Sequence, residues 1–394
     1  MKAKEYFPAL TGVRGFAAFM IFLDHYNQKD FPPLLFRILN EFHFPLPMFF
    51  VLSGFLICLR YYDNVQLSGN WMRKYIKNRI ARVYPVYLIL TTLTFLIAWV
   101  LNDDAIYNKF SSHLGVYFMN ITFLRGFFED LKFTGIGQGW SLTVEECFYF
   151  SAPLFFIWIQ KNRKNFFYIP AILILSGVVL VFVFRHINFY GFFIDFKFMF
   201  IYTFFGRCVE FFAGMGLAMI IRKTDESLSN YSIYTWLGIL GIASTTFIMV
   251  LQPISPEVPF ALFTPVGIIV NNFVLPFAIA TFFYGLIKEK SAIRTFLSSP
   301  QVELFGRSSY IFYLIHLGYI AKFSTYWIDK GTNKFFDWLY ENDFTWLAEH
   351  LSWPVIILTS LFTVLTIISI ILFKLVEEPL NLYIRKSSLL EKKN

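Results

Sequence analysis

Charge is scarce in this sequence. Asp, Glu, Lys and Arg make up 15% of its 394 residues, whereas soluble domains average about 25%. Together with 57% apolar and 21% aromatic residues, that deficit excludes an ordinary soluble enzyme. Cysteine is nearly absent too: Cys58, Cys147 and Cys208 all fall inside apolar runs. Their spacing suits neither a metal nor a disulfide framework, so they read as buried, inert thiols and no metal is expected. Interleaved basic and aromatic residues of the nucleic-acid-binding kind are missing, and no nucleic-acid partner is expected. No internal repeat, low-complexity tract or soluble domain stands out. The first apolar segment lacks a cleavage site of the signal-peptide kind and is read as retained.

What is present is apolar length. Ten stretches, at roughly 9–27, 43–60, 83–101, 140–160, 166–184, 198–221, 233–251, 261–287, 305–321 and 354–376, fill most of the chain. About 20 apolar residues cross the hydrocarbon layer as a helix. The reading is an all-α integral membrane protein of about ten transmembrane helices, with a candidate re-entrant element at 110–128. With the N-terminus in the cytoplasm, inner segments hold 21 basic residues and outer segments 10. That excess predicts an N-in, C-in topology. Residues 1–385 form a single membrane domain and 386–394 a basic cytoplasmic tail.

Polar residues inside such spans are expensive and mark function. The first span carries Arg14 near one end and Asp24-His25 near the other, with Arg14 and His25 eleven residues apart. At about 100° per residue both side chains share a face, roughly 16 Å apart along the axis. They read as two ends of a polar track. His25 is a candidate general base, with Asp24 beside it to set its tautomer. The fourth span opens on Trp140-Ser141, and Ser141, Glu145 and Tyr149 line one face at i, i+4 and i+8. Acids at a helix N-terminus also simply complement its dipole. In the ninth span Tyr313 and His316 share a face, with Ser309 one turn below. The predicted topology puts His25, Glu145 and His316 towards the outer side. Arg79 and Arg82, one turn apart in the basic loop 61–82, suit a phosphate or diphosphate. Ordinary positive-inside anchoring explains Lys74 and Lys77 without a ligand. Ser53-Gly54 allows close helix approach.

Six collinear motifs resemble the acyltransferase-3 family of membrane acyltransferases. They are Leu10-Thr11-Gly12-Val13-Arg14-Gly15 with His25, Phe49-Phe50-Val51-Leu52-Ser53-Gly54-Phe55, and Arg79 and Arg82 with Pro85. Trp140-Ser141-Leu142 with Glu145 and Phe148-Tyr149 follows, then Ser308-Ser309-Tyr310 with Tyr313-Leu314 and His316, then Glu377-Glu378-Pro379. The resemblance runs from about residue 6 to residue 383. Cys147 stands where Gln is common, and Asp24 is not a family hallmark. The resemblance implies transfer of an acyl group, commonly acetyl, from cytoplasmic acyl-CoA across a bacterial inner membrane. The implied acceptor is a hydroxyl of a surface polysaccharide or glycolipid.

The layout is compatible with that chemistry. Arg79 and Arg82, assisted by Arg14, could hold the phosphates of CoA while its thioester reaches His25. Glu145 would position acceptor or imidazole, and Ser53, Ser141, Tyr149 or His316 would stabilise the oxyanion, with Trp140 and Tyr313 as further substrate contacts. Direct transfer and an acyl-histidine relay both remain open at this stage. The leading alternative is a secondary transporter with an intramembrane polar pathway, which the lack of two similar halves disfavours.

Overall fold

A computed structural model describes residues 6–27, 31–107, 112–187, 189–224 and 228–387. Among them the regular elements are all helical. In chain order they are α1 (Pro8–His25), α2 (Pro33–Leu39), α3 (Pro45–Tyr61), α4 (Gly69–Leu101), α5 (His113–Ile121) and α6 (Trp140–Lys161). Next come α7 (Asn165–Phe184), α8 (Phe196–Tyr202), α9 (Phe204–Ile221), α10 (Ile233–Val250), α11 (Pro265–Ile269) and α12 (Leu275–Lys288). The chain closes with α13 (Ala292–Leu297), α14 (Pro300–Ile315), α15 (Tyr319–Glu341), α16 (Thr345–His350), α17 (Trp353–Leu372) and α18 (Glu378–Lys386).

Seven helical stretches among the described residues are long and apolar enough to cross a membrane: Gly69–Leu101, Gly137–Lys161, Asn165–Phe184, Phe196–Ile221, Ile233–Val250, Pro265–Lys288 and Trp353–Lys386. The other three expected spans also fold as helices, α1, α3 and α14, without being among the seven. These three are polar or short because they build the interior. The expected element at 110–128 becomes the nine-residue α5 and a tight turn at Leu124–Phe127. At about 1.5 Å per residue α5 is far too short to cross. Residues 110–111 and most of the tail, 388–394, lie outside the described residues.

Local chemistry accounts for the element boundaries. Ser68 caps α4 by accepting from the Trp71 amide at 3.4 Å, so the basic stretch expected as a loop is mostly helix. Arg79 and Arg82 therefore stand on a rigid rod that continues into the apolar span. The long eighth span, which holds Pro265 and Pro276, is broken by a π-helical turn at Val270–Val274. Inserted turns of this kind absorb a strained hydrogen-bond ladder. There Asn272 donates to the carbonyls of Phe200 and Gly206 at 2.8 and 3.1 Å. The ninth span stops at Ile315 because Gly318 takes φ 105°, and α15 restarts after it. That stop leaves His316 at the very end of α14.

Two crossings bring backbones into contact. A Cβ on Gly214 of α9 would sit 1.9 Å from the Val51 carbonyl oxygen of α3, and one on Gly306 of α14 would sit 1.9 Å from the Thr11 oxygen of α1. Small residues at crossings are what allow such approach within a membrane. Through them α1, α3, α6, α9 and α14 share one apolar core.

Gly214→Ala is expected to lower the thermal stability of the detergent-solubilised protein, by about 1–3 kcal/mol for an overpacked crossing. Gly331→Ala, where a Cβ meets nothing within 4 Å, should leave it unchanged or raised by up to about 1 kcal/mol. Equal melting shifts for the two would show that the crossing is not close-packed.

Candidate functional site

The inner surfaces of α1, α3, α4, α6, α14 and α18 line a cavity of about 580 Å³, within the ~300–1,000 Å³ range of ligand pockets. It follows α3 from Leu46 to Arg60, roughly 21 Å along the helix. Six arginines line it: Arg14, Arg60, Arg79, Arg82, Arg307 and Arg385. Two are neutralised. Arg82 is ion-paired with the buried Glu377, and Arg307 with Glu378 at 2.6 Å. Arg14, Arg60, Arg79 and Arg385 make no carboxylate ion pair among the described residues. Arg79 is 9% exposed. Its guanidinium lies 5.4 Å from the Tyr149 ring centroid and 5.8 Å from that of Tyr61. The Nε atoms of Arg79 and Arg385 are buried without an acceptor. Buried cations of this kind call for a negatively charged occupant. At the same end Tyr6 donates to Glu303 at 2.8 Å. Burial raises its phenol above the ordinary value, partly offset by a hydrogen bond from Thr11.

Midway along the cavity, Ser53 of α3 and Tyr149 of α6 both donate to the Glu145 carboxylate. The helical stripe Ser141, Glu145, Tyr149 therefore faces the cavity as its spacing predicts. At the far end the Tyr313 and Ser141 hydroxyls lie 2.9 Å apart, and the Gln138 carbonyl oxygen is 3.0 Å from the first and 3.1 Å from the second. One helical turn beyond Tyr313 stands a pair of imidazoles. His316 Nε2 is 3.0 Å from His25 Nδ1, and His316 Nδ1 is 2.8 Å from the Tyr313 carbonyl oxygen.

Those two distances fix both tautomers. A carbonyl oxygen only accepts, so neutral His316 carries its proton on Nδ1 and presents a lone pair at Nε2. His25 must then donate from Nδ1, which leaves its own Nε2 as a free base. His316 is 1% exposed, packed parallel to the Phe312 ring, and its carbonyl accepts from Tyr26 at 2.8 Å. His25, in contrast, is exposed. The arrangement is that of an oriented general base: one imidazole held by the protein, the other open to a reactant.

Most of the sequence-predicted residues converge. Arg14, Arg79, Arg82, Ser53, Ser141, Glu145, Tyr149 and Tyr313 line the cavity; His25 and His316 are not part of its lining and connect to it through Tyr313. Three do not fit as expected. No hydrogen bond joins Asp24 to His25; the Asp24 Oδ1 atom is buried without a partner. Consecutive helical side chains diverge by about 100°, so neighbours in sequence do not face each other. Trp140 points away from the cavity and packs on Tyr202, with ring centroids 4.8 Å apart. Glu145 sits with Ser53 and Tyr149, not at the imidazoles. Sequence reasoning missed Arg60, Arg307 and Arg385, which it took as topology charges or span-edge residues. Gln138, flanked by two glycines immediately before a span, was the signal left unread.

The sequence model of an acyltransferase domain matches residues 7–375. A protein of Acidianus two-tailed virus, provisionally named an acetyltransferase, is 30% identical over 153 residues, covering 38% of this chain and 41% of its own. A Staphylococcus aureus (strain COL) protein, provisionally named an O-acetyltransferase, is 26% identical over 197 residues, covering 46% of this chain and 31% of its own. An uncharacterised protein of Haemophilus influenzae is 29% identical over 160 residues, covering 37% of this chain and 62% of its own. The chain thus spans less than two thirds of each of these relatives. No solved structure matches it.

Removing one member of the Arg82–Glu377 pair should cost more than removing both charges. Arg82→Ala strands a carboxylate that is 2% exposed and is expected to destabilise by about 3 kcal/mol. Adding Glu377→Gln should restore part of that loss. Thermal unfolding in detergent checks it, and additive losses in the double variant would contradict it.

Proposed function

Because this chain belongs to that acyltransferase family, we propose that it moves an acyl group such as acetyl from acyl-CoA to a hydroxyl of a surface glycan or glycolipid at a bacterial inner membrane. The observation that carries this reading is an arginine-lined cavity that reaches Tyr313, the residue whose carbonyl holds an imidazole pair one helical turn away. A donor with phosphates at one end and a thioester at the end of a long flexible arm matches such a cavity. Its phosphates supply the negative charge that Arg14, Arg60, Arg79 and Arg385 lack, and planar guanidinium forks suit phosphate oxygens. Arg82 is already engaged by Glu377, so Arg79 takes first place in holding the donor.

At the other end the acceptor hydroxyl gives its proton to His25 Nε2 as its oxygen attacks the thioester carbonyl carbon. The tetrahedral intermediate collapses with loss of the C–S bond. The proton on His25 passes to the leaving thiolate, giving the O-acyl product and free CoA. His316 holds His25 in the productive tautomer and spreads the positive charge that develops on it. With the Tyr313 hydroxyl spent on the Gln138 carbonyl, the Ser141 hydroxyl beside it is the candidate donor for the oxyanion. Glu145 accepts the hydroxyl protons of Ser53 and Tyr149, which leaves their oxygens as acceptors for the amide N–H groups of the donor arm.

The test is transfer of label from acetyl-CoA into glycan and lipid fractions of membranes carrying the protein. His25→Ala is expected to abolish transfer, and His316→Ala to slow it by about 10²–10⁴-fold, the range of a lost general base. Near-normal transfer by His25→Ala would overturn the mechanism. Absence of saturable CoA binding by the intact protein would overturn the enzyme reading itself and favour a transporter.

A further inference from the structure

The tautomer of His316 hangs on the Tyr313 carbonyl, with the Ile21 carbonyl a further acceptor at His25, and a third side chain grips the Tyr313 oxygen. The last carbonyls of a helix have no partner within the helix. At the end of α14, two of them are taken by Gln138, whose Nε2 donates to Tyr313 O at 2.6 Å and to Leu314 O at 3.1 Å. The Tyr313 oxygen therefore accepts from Gln138 and from His316 Nδ1 together, using both of its lone pairs. The backbone oxygen of Gln138 completes the grip on the same helix through Tyr313 OH at 3.0 Å.

Gln138 is itself fixed from behind. Arg125, 0% exposed, donates to the carbonyl of Thr134 and, at 2.5 Å, to that of Ile136. Asn120 Nδ2 donates to Thr134 Oγ1 at 2.9 Å. The guanidinium fills the space beside Gly139, where a Cβ would lie 2.1 Å from Nη2. A buried arginine spent on backbone carbonyls is costly to desolvate, and what it secures is the loop carrying Gln138. The glycine after Gln138 is the small residue that this packing requires.

From this we infer that Gln138 is a positioning residue for the imidazole pair: it holds the Tyr313 carbonyl where His316 Nδ1 must donate to it, and so keeps His25 Nε2 free as the base. The inference rests on the acyl-transfer reading for its catalytic consequence, and on hydrogen-bond geometry alone for the tautomer. Gln138 touches no reacting atom. Its substitution acts on the base and not on donor binding.

Two variants and two readouts test it. The protein holds six histidines, so ring-nitrogen NMR of 15N-histidine-labelled protein in nanodiscs can be assigned with single His variants. The wild type is expected to show His316 protonated at Nδ1, and Gln138→Leu to lose that single tautomer. In label transfer, Gln138→Leu is expected to lower kcat at least about tenfold, the scale of a slightly misplaced catalytic group, with the KM for acetyl-CoA within about twofold of wild type. Gln138→Glu adds a pH readout. Protonated, its carboxyl donates to the carbonyl as Gln138 does; ionised, it cannot. Its kcat should therefore return towards wild type on acidification and fall as pH rises through the titration of the new carboxyl, a limb the wild type lacks. That recovery also shows that the variant is folded. An unchanged tautomer in Gln138→Leu, or no added limb in Gln138→Glu, overturns the inference. A wild type that transfers no label while keeping the Nδ1-protonated His316 overturns the acyl-transfer reading instead, and with it the catalytic part of this one.

Discussion

A carbonyl oxygen can accept hydrogen bonds and never donate one, and the site depends on that constraint at Tyr313. His316 must give it a proton, so His316 must take one from His25, and His25 is left with a bare Nε2. Nothing in this chain of consequences needs a carboxylate. For the buried His316 that economy matters, because each buried ion has to be matched or solvated. In the proposed reaction two neutral imidazoles and a peptide oxygen would orient the base without a charge there beforehand.

Elsewhere the chain does carry charge into apolar surroundings, and it handles each cation differently. Arg82 and Arg307 meet the two adjacent carboxylates Glu377 and Glu378. Arg207 meets Glu210 on its own helix at 2.8 Å with both side chains almost wholly buried. Arg125 spends its donors on backbone oxygens. Arg79 rests against two tyrosine rings. Four arginines that meet no carboxylate among the described residues, Arg14, Arg60, Arg79 and Arg385, share one cavity, and a negatively charged ligand is the partner they lack.

The cavity and the imidazole pair exist because helices approach closely at glycines. Gly306 against Thr11 brings α14 onto α1, and Gly214 against Val51 brings α9 onto α3. The first contact holds His25 and His316 within hydrogen-bond reach although 291 positions separate them. The second sets the wall carrying Ser53. Residues of the matched motifs thus divide into those that carry chemistry and those, such as Gly12 and Gly54, that let the carriers meet.

Much of this was legible in one dimension. Apolar length marks the helices because a bilayer or a core must cover about 20 residues of each. A period of 3.6 residues places Ser141, Glu145 and Tyr149 on one face, and the structure has them on the cavity wall. Other features were beyond any periodicity rule. Asp24 and His25 adjoin in sequence yet turn apart, since one helical step rotates the side chain by about 100°. The partner of His25 comes from a helix near the other end of the chain. Arg82 looked free until the fold brought Glu377 beside it, and Gln138 looked like a loop residue until α14 ended against it. Helix content and shared faces follow from interactions within a few residues, so sequence alone determines them; which groups are left unpaired, and which imidazole holds which proton, depends on contacts between distant helices, and only the tertiary structure decides them.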